Sequence, residues 1–371
     1  MLRNGATLKE IQDFPQPSRE GIDNSNRLVV DELRYNIDSN LKEKHDEWFQ
    51  MLNTEQRGIY DEITGAVFND LGGVFFIYGF GGTGKTFIWK TLAAAVRSRG
   101  QIVLNVASSG IASLLLEGGR TAHSRFAIPL NPDEFSVCKI TPKSDLANLI
   151  KEASLIIWDE APMMSKFCFE SLDKSFYDIL NNKDNKVFGG KVVVFGGDFR
   201  QVLPVINGAG RVEIVMSSLN ASYLWDHCKV LKLTKNMRLL SGGLSSEEAK
   251  EIQQFSDWLL AVGDGRINEP NDGEALIDIP EELLIKEAGN PIEAISKEIY
   301  GDPSELHMIN DPKFFQRRAI LAPTNEDVNT INQYMLEHLK SKSANYLRFL
   351  RFKLIENFNG LCLLHVAFVF L

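Results

Sequence analysis

A glycine-rich segment near residue 80 constrains this chain more than any other part of its sequence. It runs from Gly79 to Thr86 as GFGGTGKT and fits the phosphate-loop pattern of Gly, four residues and Gly-Lys-Thr. The apolar run 74–78 before it predicts a buried strand, and residues 87–97 after it lack Gly and Pro and favour a helix. A strand, a glycine loop and a helix in this order predict a site for nucleotide phosphates.

The residues of this loop have separate chemical roles in such a site. Glycines let backbone N–H groups turn inward around phosphate oxygens, and the following helix adds the partial positive charge of its N-terminus. The Lys85 ammonium would reach the β- and γ-phosphates of ATP, and the Thr86 hydroxyl would hold Mg²⁺. The residues predicted to bind the nucleotide from this segment are Gly79, Gly81, Gly82, Thr83, Gly84, Lys85 and Thr86.

Composition limits the class of protein. A length of 371 residues suits two ordinary domains, and a hydrophobic content of 44% supports sizeable cores. The four cysteines lie far apart, which favours a reducing compartment and no zinc site. A net charge of −9 neither indicates nor excludes nucleic-acid binding. The polar N-terminus is unlike a signal peptide, and the apolar run 361–371 is shorter than the ~20 residues that span a bilayer, so we expect no membrane contact.

Apolar strand-like runs alternate with helical stretches through the middle of the chain. The predicted strands are 74–78, 102–107, 154–158, 191–195 and 230–233. This alternation predicts an α/β fold in which a parallel sheet carries helices on both faces and binds ligands at the carboxyl ends of its strands. A solvated charged helix is expected over 31–50, followed by a helix that Thr54 would cap. A further strand and helix are expected over 319–322 and 326–339.

Two more strand ends carry polar side chains suited to phosphate chemistry. Strand 154–158 is followed by Asp159, which would hold Mg²⁺ through water, and by Glu160, which would orient and deprotonate the attacking water. Strand 191–195 runs into a Gly-Gly-Asp turn followed by Gln201, a neutral side chain that could sense the γ-phosphate. Each has an ordinary alternative, because acidic residues often end strands and Gly-Gly-Asp is common in turns.

The order of these segments resembles that of superfamily 1B helicases of the petite-integration-frequency (Pif) type, over about residues 51–335. The segments that carry the resemblance after the phosphate loop are Ser109-Gly110-Ile111-Ala112, Thr121-Ala122-His123-Ser124, Asp159-Glu160-Ala161, Gly197-Asp198-Phe199-Arg200-Gln201-Val202-Leu203-Pro204 and Leu233-Thr234-Lys235-Asn236-Met237-Arg238. Residues 52–56 resemble the family's adenine-reading segment, and 319–325 resemble the opening of its second motor domain.

The resemblance implies roles for single side chains. Gln56 would read the adenine edge, and Arg238 would stabilise the transferred charge. The implied catalytic residues are Lys85, Glu160, Gln201 and Arg238, and the implied metal ligands are Thr86 and Asp159. The residues expected to touch single-stranded DNA are Ser109, His123, Ser124 and Phe126. For His123 the alternative is a structural histidine in a loop, and for Phe126 it is a core aromatic residue.

The resemblance also implies a fold and an activity. A RecA-like ATPase domain would cover 51–235, after a leader and charged helix over 1–50 and before a linker and partial second RecA-like domain over 236–340. The activity would be ATP-dependent, 5′-to-3′ DNA unwinding, with ATP and Mg²⁺ as cofactors and single-stranded DNA and duplex junctions as partners. We expect a nuclear protein, with the mitochondrion as the alternative, in DNA repair, recombination or telomere maintenance.

The C-terminal part departs from the family pattern. Beyond Lys342 we find no counterpart of the family's Val-Ala-Leu-Ser-Arg segment, which supplies a second arginine to the γ-phosphate. We therefore expect the apolar tail 341–371 to be read-through or a broken gene model, with an amphipathic extension as the alternative, and we expect no unwinding by the chain as it stands. The competing hypothesis is a nucleotide- or strand-binding remnant without motor activity. A small-molecule kinase is disfavoured because it has no use for the turn at 197–204.

Overall fold

The computed structural model describes most of the first two thirds of the chain and parts of the last third. The described residues are 26–37, 40–181, 184–240, 245–267, 276–285, 289–302, 305, 314–315, 318–322 and 324–338. The helices are α1 (Arg27–Leu33), α2 (Leu41–Met51), α3 (Thr54–Phe68), α4 (Lys85–Arg97), α5 (Gly110–Leu114), α6 (Ala122–Phe126), α7 (Asp145–Glu152), α8 (Lys166–Ile179), α9 (Arg211–Ser217), α10 (Ser246–Gly263), α11 (Pro291–Tyr300) and α12 (Asn325–His338). The strands are β1 (Gly73–Tyr78), β2 (Ile102–Ala107), β3 (Arg120–Thr121), β4 (Ala153–Asp159), β5 (Val192–Gly197) and β6 (Cys228–Lys232).

The strands form one parallel sheet in the order β3-β2-β4-β5-β1-β6. β1 pairs with β5 on one side and with β6 on the other, and β4 lies between β2 and β5. Because every pairing is parallel, all six strands end at the same edge of the sheet. The predicted α/β fold with a RecA-like parallel sheet is confirmed. Only β3 is absent from the sequence prediction, since a run of two residues has no readable periodicity.

Alternation along each strand divides the core between the two faces of the sheet. On β1, Val74 and Phe76 belong to the cluster that includes buried residues of α6, α7 and α8, whereas Phe75 and Ile77 belong to the cluster with α3 and α4. Successive side chains of a strand point to opposite faces, so helices cover both faces of the sheet. This two-sided burial explains why the central strands read as continuous apolar runs in the sequence.

Helix α3 begins with a capping box formed by Asn53 and Gln56. Its N-cap is Asn53, whose side chain accepts a hydrogen bond from the backbone N–H of Gln56 at 3.0 Å, and Gln56 Oε1 accepts one from Asn53 N–H at 3.2 Å. The expected cap at Thr54 is wrong, because Thr54 already lies in the first turn and asparagine is the stronger capping residue.

The segment 31–50 is not the single solvated helix that its charge predicts. Helix α1 ends at Leu33, a 3₁₀ turn covers Arg34–Asn36, and α2 begins only at Leu41. Within α1, Glu32 is buried. The prediction fails because this carboxylate has a buried cationic partner from a distant part of the chain, which no local pattern reveals.

The last third of the chain is described only in part. Helix α12 confirms the helix expected over 326–339 to within one residue at each end. Residues 319–322, expected as a strand, have no regular structure, and no strand among the described residues pairs with them. The tail 341–371 lies outside the described residues, and the expected domain boundaries stay predictions. No helix in the described ranges is long and apolar enough to cross a membrane.

Candidate nucleotide-binding site

The phosphate loop connects β1 to α4 and needs glycine at two positions. Gly82 has φ 92° and Gly84 has φ 86°, both in the left-handed region that L side chains rarely adopt. A side chain at Gly84 would also place its Cβ 2.5 Å from Gln56 Nε2 and 3.3 Å from Met237 Cγ. Conformation and close packing therefore both exclude a side chain at Gly84, the N-cap of α4.

Lys85 and Thr86 form the first turn of α4, at the mouth of the loop. The Lys85 ammonium is buried and donates hydrogen bonds to the carbonyl oxygens of Gly79 and Phe80, the second at 3.3 Å. Thr83 closes the loop from within, since its hydroxyl donates to Phe80 O at 2.9 Å. Thr86 is half-buried. The Lys85 ammonium is thus hydrogen-bonded to carbonyl oxygens of the loop, and the phosphate oxygens of a nucleotide would compete with them for these bonds.

Two carboxylates lie at the end of β4, which is separated from β1 by β5: Asp159 is the last residue of the strand and Glu160 follows it. Asp159 is buried, and Glu160 has φ 54° and ψ 38°, a left-handed conformation that turns the chain out of the strand. Burial raises the pKa of Asp159, and the Lys85 ammonium opposes this shift. Burial and then the Asp159 charge raise the pKa of Glu160 to about 7, again against Lys85. The strain at Glu160 and its raised pKa are typical of a functional position.

The turn after β5 brings a third group to the same edge of the sheet. Gln201 donates its backbone N–H to Asp198 O at 3.0 Å, and its side chain is exposed. Asp198 is buried and its charge contributes to the raised pKa of Glu160. The turn lies at the same edge of the sheet as Asp159 and Glu160 because β4 and β5 are parallel neighbours, and the exposed Gln201 side chain is accessible to a ligand there.

The expected adenine reader, Gln56, is fully buried beside the loop. Its Nε2 donates to Thr83 O at 3.2 Å, while its Oε1 serves the capping box of α3. Both ends of the amide therefore bind the protein, and Gln56 connects the start of α3 to the phosphate loop. The reading of adenine by Gln56 stays a prediction.

The segment that follows β6 returns to the phosphate loop. Met237 donates its backbone N–H to Gly82 O at 2.8 Å, and Asn53 Nδ2 donates to Met237 Sδ at 3.1 Å. The side chain of Arg238, the next residue, lies outside the described ones, so its catalytic role stays a prediction. Position 238 nevertheless directly follows Met237, whose backbone N–H is bonded to the loop.

Sequence reasoning missed a contact that fixes this returning segment. Glu55 accepts hydrogen bonds from Thr234 N–H at 2.9 Å and from the Thr234 hydroxyl at 2.6 Å. Burial raises the pKa of Glu55, but these two bonds together with the neighbouring Lys235 outweigh it and hold the pKa below its usual value. No local signal could have paired two residues so far apart in the chain, although both lie inside family-like segments.

A second missed contact joins the ends of β2 and β4. The indole Nε1 of the fully buried Trp158 donates to Ser108 Oγ at 3.1 Å, and Ser108 N–H donates to Asp159 O at 3.1 Å. Ser108 therefore bonds two consecutive residues of β4, one of them the predicted metal ligand. The residue that follows it, Ser109, begins the segment expected to contact DNA.

Of the four residues expected to touch a DNA strand, only two are accessible. On α6, His123 is partly exposed and Ser124 is exposed. Burial lowers the pKa of His123, which favours the neutral form of its imidazole. These two side chains lie next to each other on one short helix and stay candidates for strand contact.

The other two assignments need correction. Phe126 is fully buried and packs against Trp158 and Phe176, with ring centroids 6.2 Å and 5.9 Å away, so it is a core residue and not a base platform. Ser109 is also buried, and its hydroxyl accepts a hydrogen bond from Ala112 N–H at 3.1 Å as the N-cap of α5. The core needs a large aromatic side chain at 126, and the short helix needs a cap at 109.

The residues present fit a nucleoside triphosphate with a divalent cation. The glycine cradle has no room for a Cβ at Gly84, a buried ammonium faces carbonyl oxygens, and Oε2 of Glu160 is buried without a hydrogen-bond partner among the described residues. Within the described ranges, no cluster of three or more His, Cys, Asp or Glu could hold a metal by itself. Mg²⁺ is typically held by one carboxylate together with substrate phosphates, which suits Asp159 and the Thr86 hydroxyl.

Comparison with protein families identifies the family of this chain. A family model described as PIF1-like helicase matches residues 51–273 of the chain. The chain belongs to the PIF1-like helicase family. The match includes the phosphate loop, both carboxylates, the turn at Gln201 and the segment that ends at Arg238, so membership of a family of ATP-dependent DNA helicases rests on the whole site region.

Curated members of the PIF1-like family are similar to part of this chain. The ATP-dependent DNA helicase PIF1 of Homo sapiens is 26% identical over 197 residues, which cover 52% of this chain and 28% of the relative. The Pif1 helicase of Psychrobacter is 27% identical over 187 residues, covering 50% and 27%, and PIF4 of Trypanosoma brucei brucei is 29% identical over 136 residues, covering 36% and 16%. The matched part thus spans less than a third of each of these relatives.

Solved structures of PIF1-like helicases also match. A Bacteroides Pif1 bound to single-stranded DNA has a TM-score of 0.46 at 22% identity, with 58% of this chain and 47% of that chain covered. The Pif1 helicase of Candida albicans has a TM-score of 0.42 at 24% identity, with 63% and 50% covered.

Proposed function

We propose that this chain binds ATP with Mg²⁺ at the phosphate loop, and that in a protein with a complete second motor domain ATP hydrolysis at this site drives 5′-to-3′ movement on single-stranded DNA. The observation that carries the proposal is the placement of Lys85, Asp159 and Glu160 at or after the ends of parallel strands that finish at one edge of the sheet, and the charge of Lys85 acts to lower the pKa of both carboxyl groups there. An ammonium and two carboxylates around a glycine loop supply the charges that phosphoryl transfer to water requires. Membership of the PIF1-like family supports the DNA part of the proposal.

Each side chain has one task in this reaction. Lys85 exchanges the carbonyl oxygens of the loop for β- and γ-phosphate oxygens. Thr86 and Asp159 would hold Mg²⁺, which would neutralise charge on the phosphates. Glu160 orients the attacking water and accepts its proton, and a pKa of about 7 suits a general base near neutral pH. General-base assistance is typically worth about 10²–10⁴ in rate.

Two further residues complete the proposed catalytic set. The exposed amide of Gln201 senses whether the γ-phosphate is present, from a turn whose Asp198 interacts with Glu160. Arg238 follows Met237, whose backbone bonds the loop at Gly82, and would stabilise charge on the transferred phosphoryl group. An arginine in this role is worth about 10³–10⁵ in rate.

The proposed partners are single-stranded DNA and duplex junctions. His123 and Ser124 of α6 would contact the DNA strand, at the same edge of the sheet as Asp159. Separating a base-pair step costs about 1.4 kcal/mol of stacking, and stacking on a protein aromatic returns about 1–3 kcal/mol per base. The two terms are comparable, so hydrolysis and not binding alone has to drive unwinding.

Two variants separate nucleotide binding from chemistry. Lys85→Ala should abolish binding of a fluorescent ATP analogue with Mg²⁺, whereas Lys90→Ala, on the exposed side of the same helix, should bind like the parent. Glu160→Gln should keep the affinity and lose most phosphate release. Parent-like binding by Lys85→Ala would refute the site. Binding without hydrolysis by the parent would favour the alternative of a nucleotide- or strand-binding protein without motor activity.

The cellular role belongs to the same proposal. We propose action in the nucleus, with the mitochondrion as the alternative, during DNA repair, recombination or telomere maintenance. A fluorescent fusion would decide between the two compartments, and exclusion from both would contradict the proposed role.

A further inference from the structure

A segment outside the part matched by the family model is fastened to the ATPase core. Residues 26–37, here called the N-terminal strap, comprise α1 and the following 3₁₀ turn, whereas the family match begins at residue 51. Asn26 Nδ2 donates to Asp145 O at 2.7 Å at one end, and Asn36 Nδ2 donates to Gln101 O at 3.3 Å at the other. The strap is therefore tied to the core at both ends.

The middle of the strap makes a buried ion pair with α6. Glu32 Oε1 accepts a hydrogen bond from Arg125 Nη2 at 2.5 Å, and the side chains are only 5% and 3% exposed. Arg125 Nη2 also lies 3.5 Å from Gly118 O. Arg125 immediately follows His123 and Ser124, the two accessible candidates for strand contact.

Tyr35 of the strap adds a second contact with the same region. The guanidinium of the buried Arg97 lies 4.6 Å from the centroid of the Tyr35 ring and also pairs with Glu117 at 2.8 Å. Gly118 has φ 67°, and a Cβ there would lie 2.8 Å from the Tyr35 ring. The strap thus touches the chain just before and within the β3–α6 unit.

We propose that the N-terminal strap positions α6 for contact with a nucleic-acid strand and that Glu32 is the positioning residue. The inference rests on the strand-contact role of α6 in the proposed function. Helix α6 has only five residues, so its own hydrogen bonds do little to fix its orientation. The buried side of α6 consists of Ala122, Arg125 and Phe126, and of these three only Arg125 can make a directional ion pair.

The chemistry of the pair supports a positioning role over a purely stabilising one. Burying two charges costs about as much as their attraction returns, so such pairs add little net stability, but removing one partner leaves an uncompensated buried charge. Glu32 Oε2 and Arg125 Nε have no hydrogen-bond partner among the described residues, so the pair uses only part of its capacity. Without Glu32, the Arg125 guanidinium would move toward water and turn the short helix that carries His123 and Ser124.

The test compares two neighbouring carboxylates of α1 in the full chain. Glu32→Gln removes the buried charge, and Asp31→Asn makes the same chemical change at a partly exposed position that pairs with Arg34 at 3.0 Å. The probe is a fluorescein-labelled oligothymidylate of about 15 nucleotides, within the range of strand-binding sites. Anisotropy measures its affinity, a fluorescent ATP analogue measures nucleotide affinity, and hydrogen exchange measures the protection of amides 120–127.

We expect Glu32→Gln to weaken oligonucleotide binding about tenfold or more, to speed exchange at 120–127 and to leave nucleotide affinity at the parent value. Asp31→Asn should match the parent in all three. Unchanged strand affinity or exchange in Glu32→Gln refutes the inference alone, as does an equal loss of nucleotide affinity, which indicates general unfolding. If the parent fails to bind the oligonucleotide, the strand-contact role of α6 is refuted and the inference falls with it.

A second variant covers the case in which Glu32→Gln does not fold. Glu32→Leu with Arg125→Met replaces the pair by apolar side chains of similar length, which preserves burial without a lone charge. We expect this double variant to fold and to bind nucleotide like the parent, but to lose protection at 120–127 because the charge pair no longer connects α6 to the strap. Parent protection there in the folded double variant would show that the pair does not hold the helix.

Discussion

Replacement of Gly84 by alanine tests the geometry of the phosphate loop most directly. Alanine at this position would have to keep φ 86°, and its Cβ would lie 2.5 Å from Gln56 Nε2. The amide would be pushed off Thr83 O, which it bonds at 3.2 Å. A single methyl group therefore disturbs both the backbone and the contact between α3 and the loop.

The expected magnitude follows from these two terms. A left-handed conformation costs a residue other than glycine about 1–2 kcal/mol, and a buried polar group left without its partner costs about 1–3 kcal/mol. The sum is about 2–5 kcal/mol, which corresponds to roughly 30- to 4,000-fold in an equilibrium constant. If the loop relaxes out of its binding geometry, the loss appears in nucleotide affinity. If it does not relax, the loss appears in stability.

Both quantities are measured on the same protein. A fluorescent ATP analogue with Mg²⁺ gives the affinity, and differential scanning fluorimetry gives the melting temperature. Gly58→Ala is the matched control, because it lies within α3 with nothing within 4 Å of its Cβ and no positive φ; alanine there should be neutral or stabilising by up to about 1 kcal/mol. A Gly84→Ala protein with the affinity and melting temperature of the parent would refute the described loop.

Two shorter predictions concern the sheet edge and α6. Ser108→Ala removes the acceptor of the buried Trp158 N–H, so it should cost about 1–3 kcal/mol and lower the melting temperature; an unchanged melting temperature would contradict the bond. Burial holds the pKa of His123 below 6.5, so as pH falls below 6.5 the unfolded chain binds a proton first and stability declines. His123→Gln should flatten that part of a plot of melting temperature against pH, and an unaltered slope would contradict the burial.

The sequence predicts the central sheet well for a physical reason. Strands buried on both faces are continuous apolar runs, and four of the six described strands, β1, β2, β4 and β5, are of this kind or nearly so, whereas β6 is largely accessible. The phosphate loop is equally local, because its glycines and its lysine are adjacent in the chain. Asp159 and Glu160 are readable because they end an apolar run.

The contacts that orient the site are not local, and the sequence does not predict them. Glu32 and Arg125 are 93 positions apart, and Glu55 and Thr234 are 179 positions apart. A charged residue in a polar stretch is normally solvated, so nothing in the segment 31–50 indicates that Glu32 is buried. Phe126 was assigned to DNA through its neighbours in a motif, but one residue along a short helix is enough to turn a side chain from the surface to the core.

The order of the strands sets a distance between the two proposed ligands. β1, which leads into the phosphate loop, is separated from β3, which leads into α6, by β5, β4 and β2. Four spacings of about 4.8 Å place these strand ends about 19 Å apart, which exceeds the Debye length of about 8 Å at physiological ionic strength. Dissolved ions would therefore screen the interaction between charges on a nucleotide and on a DNA backbone bound at these ends. Coupling between the two sites would then be mechanical, through small displacements of β5, β4 and β2. Such coupling would persist at salt concentrations that lower the affinity for DNA.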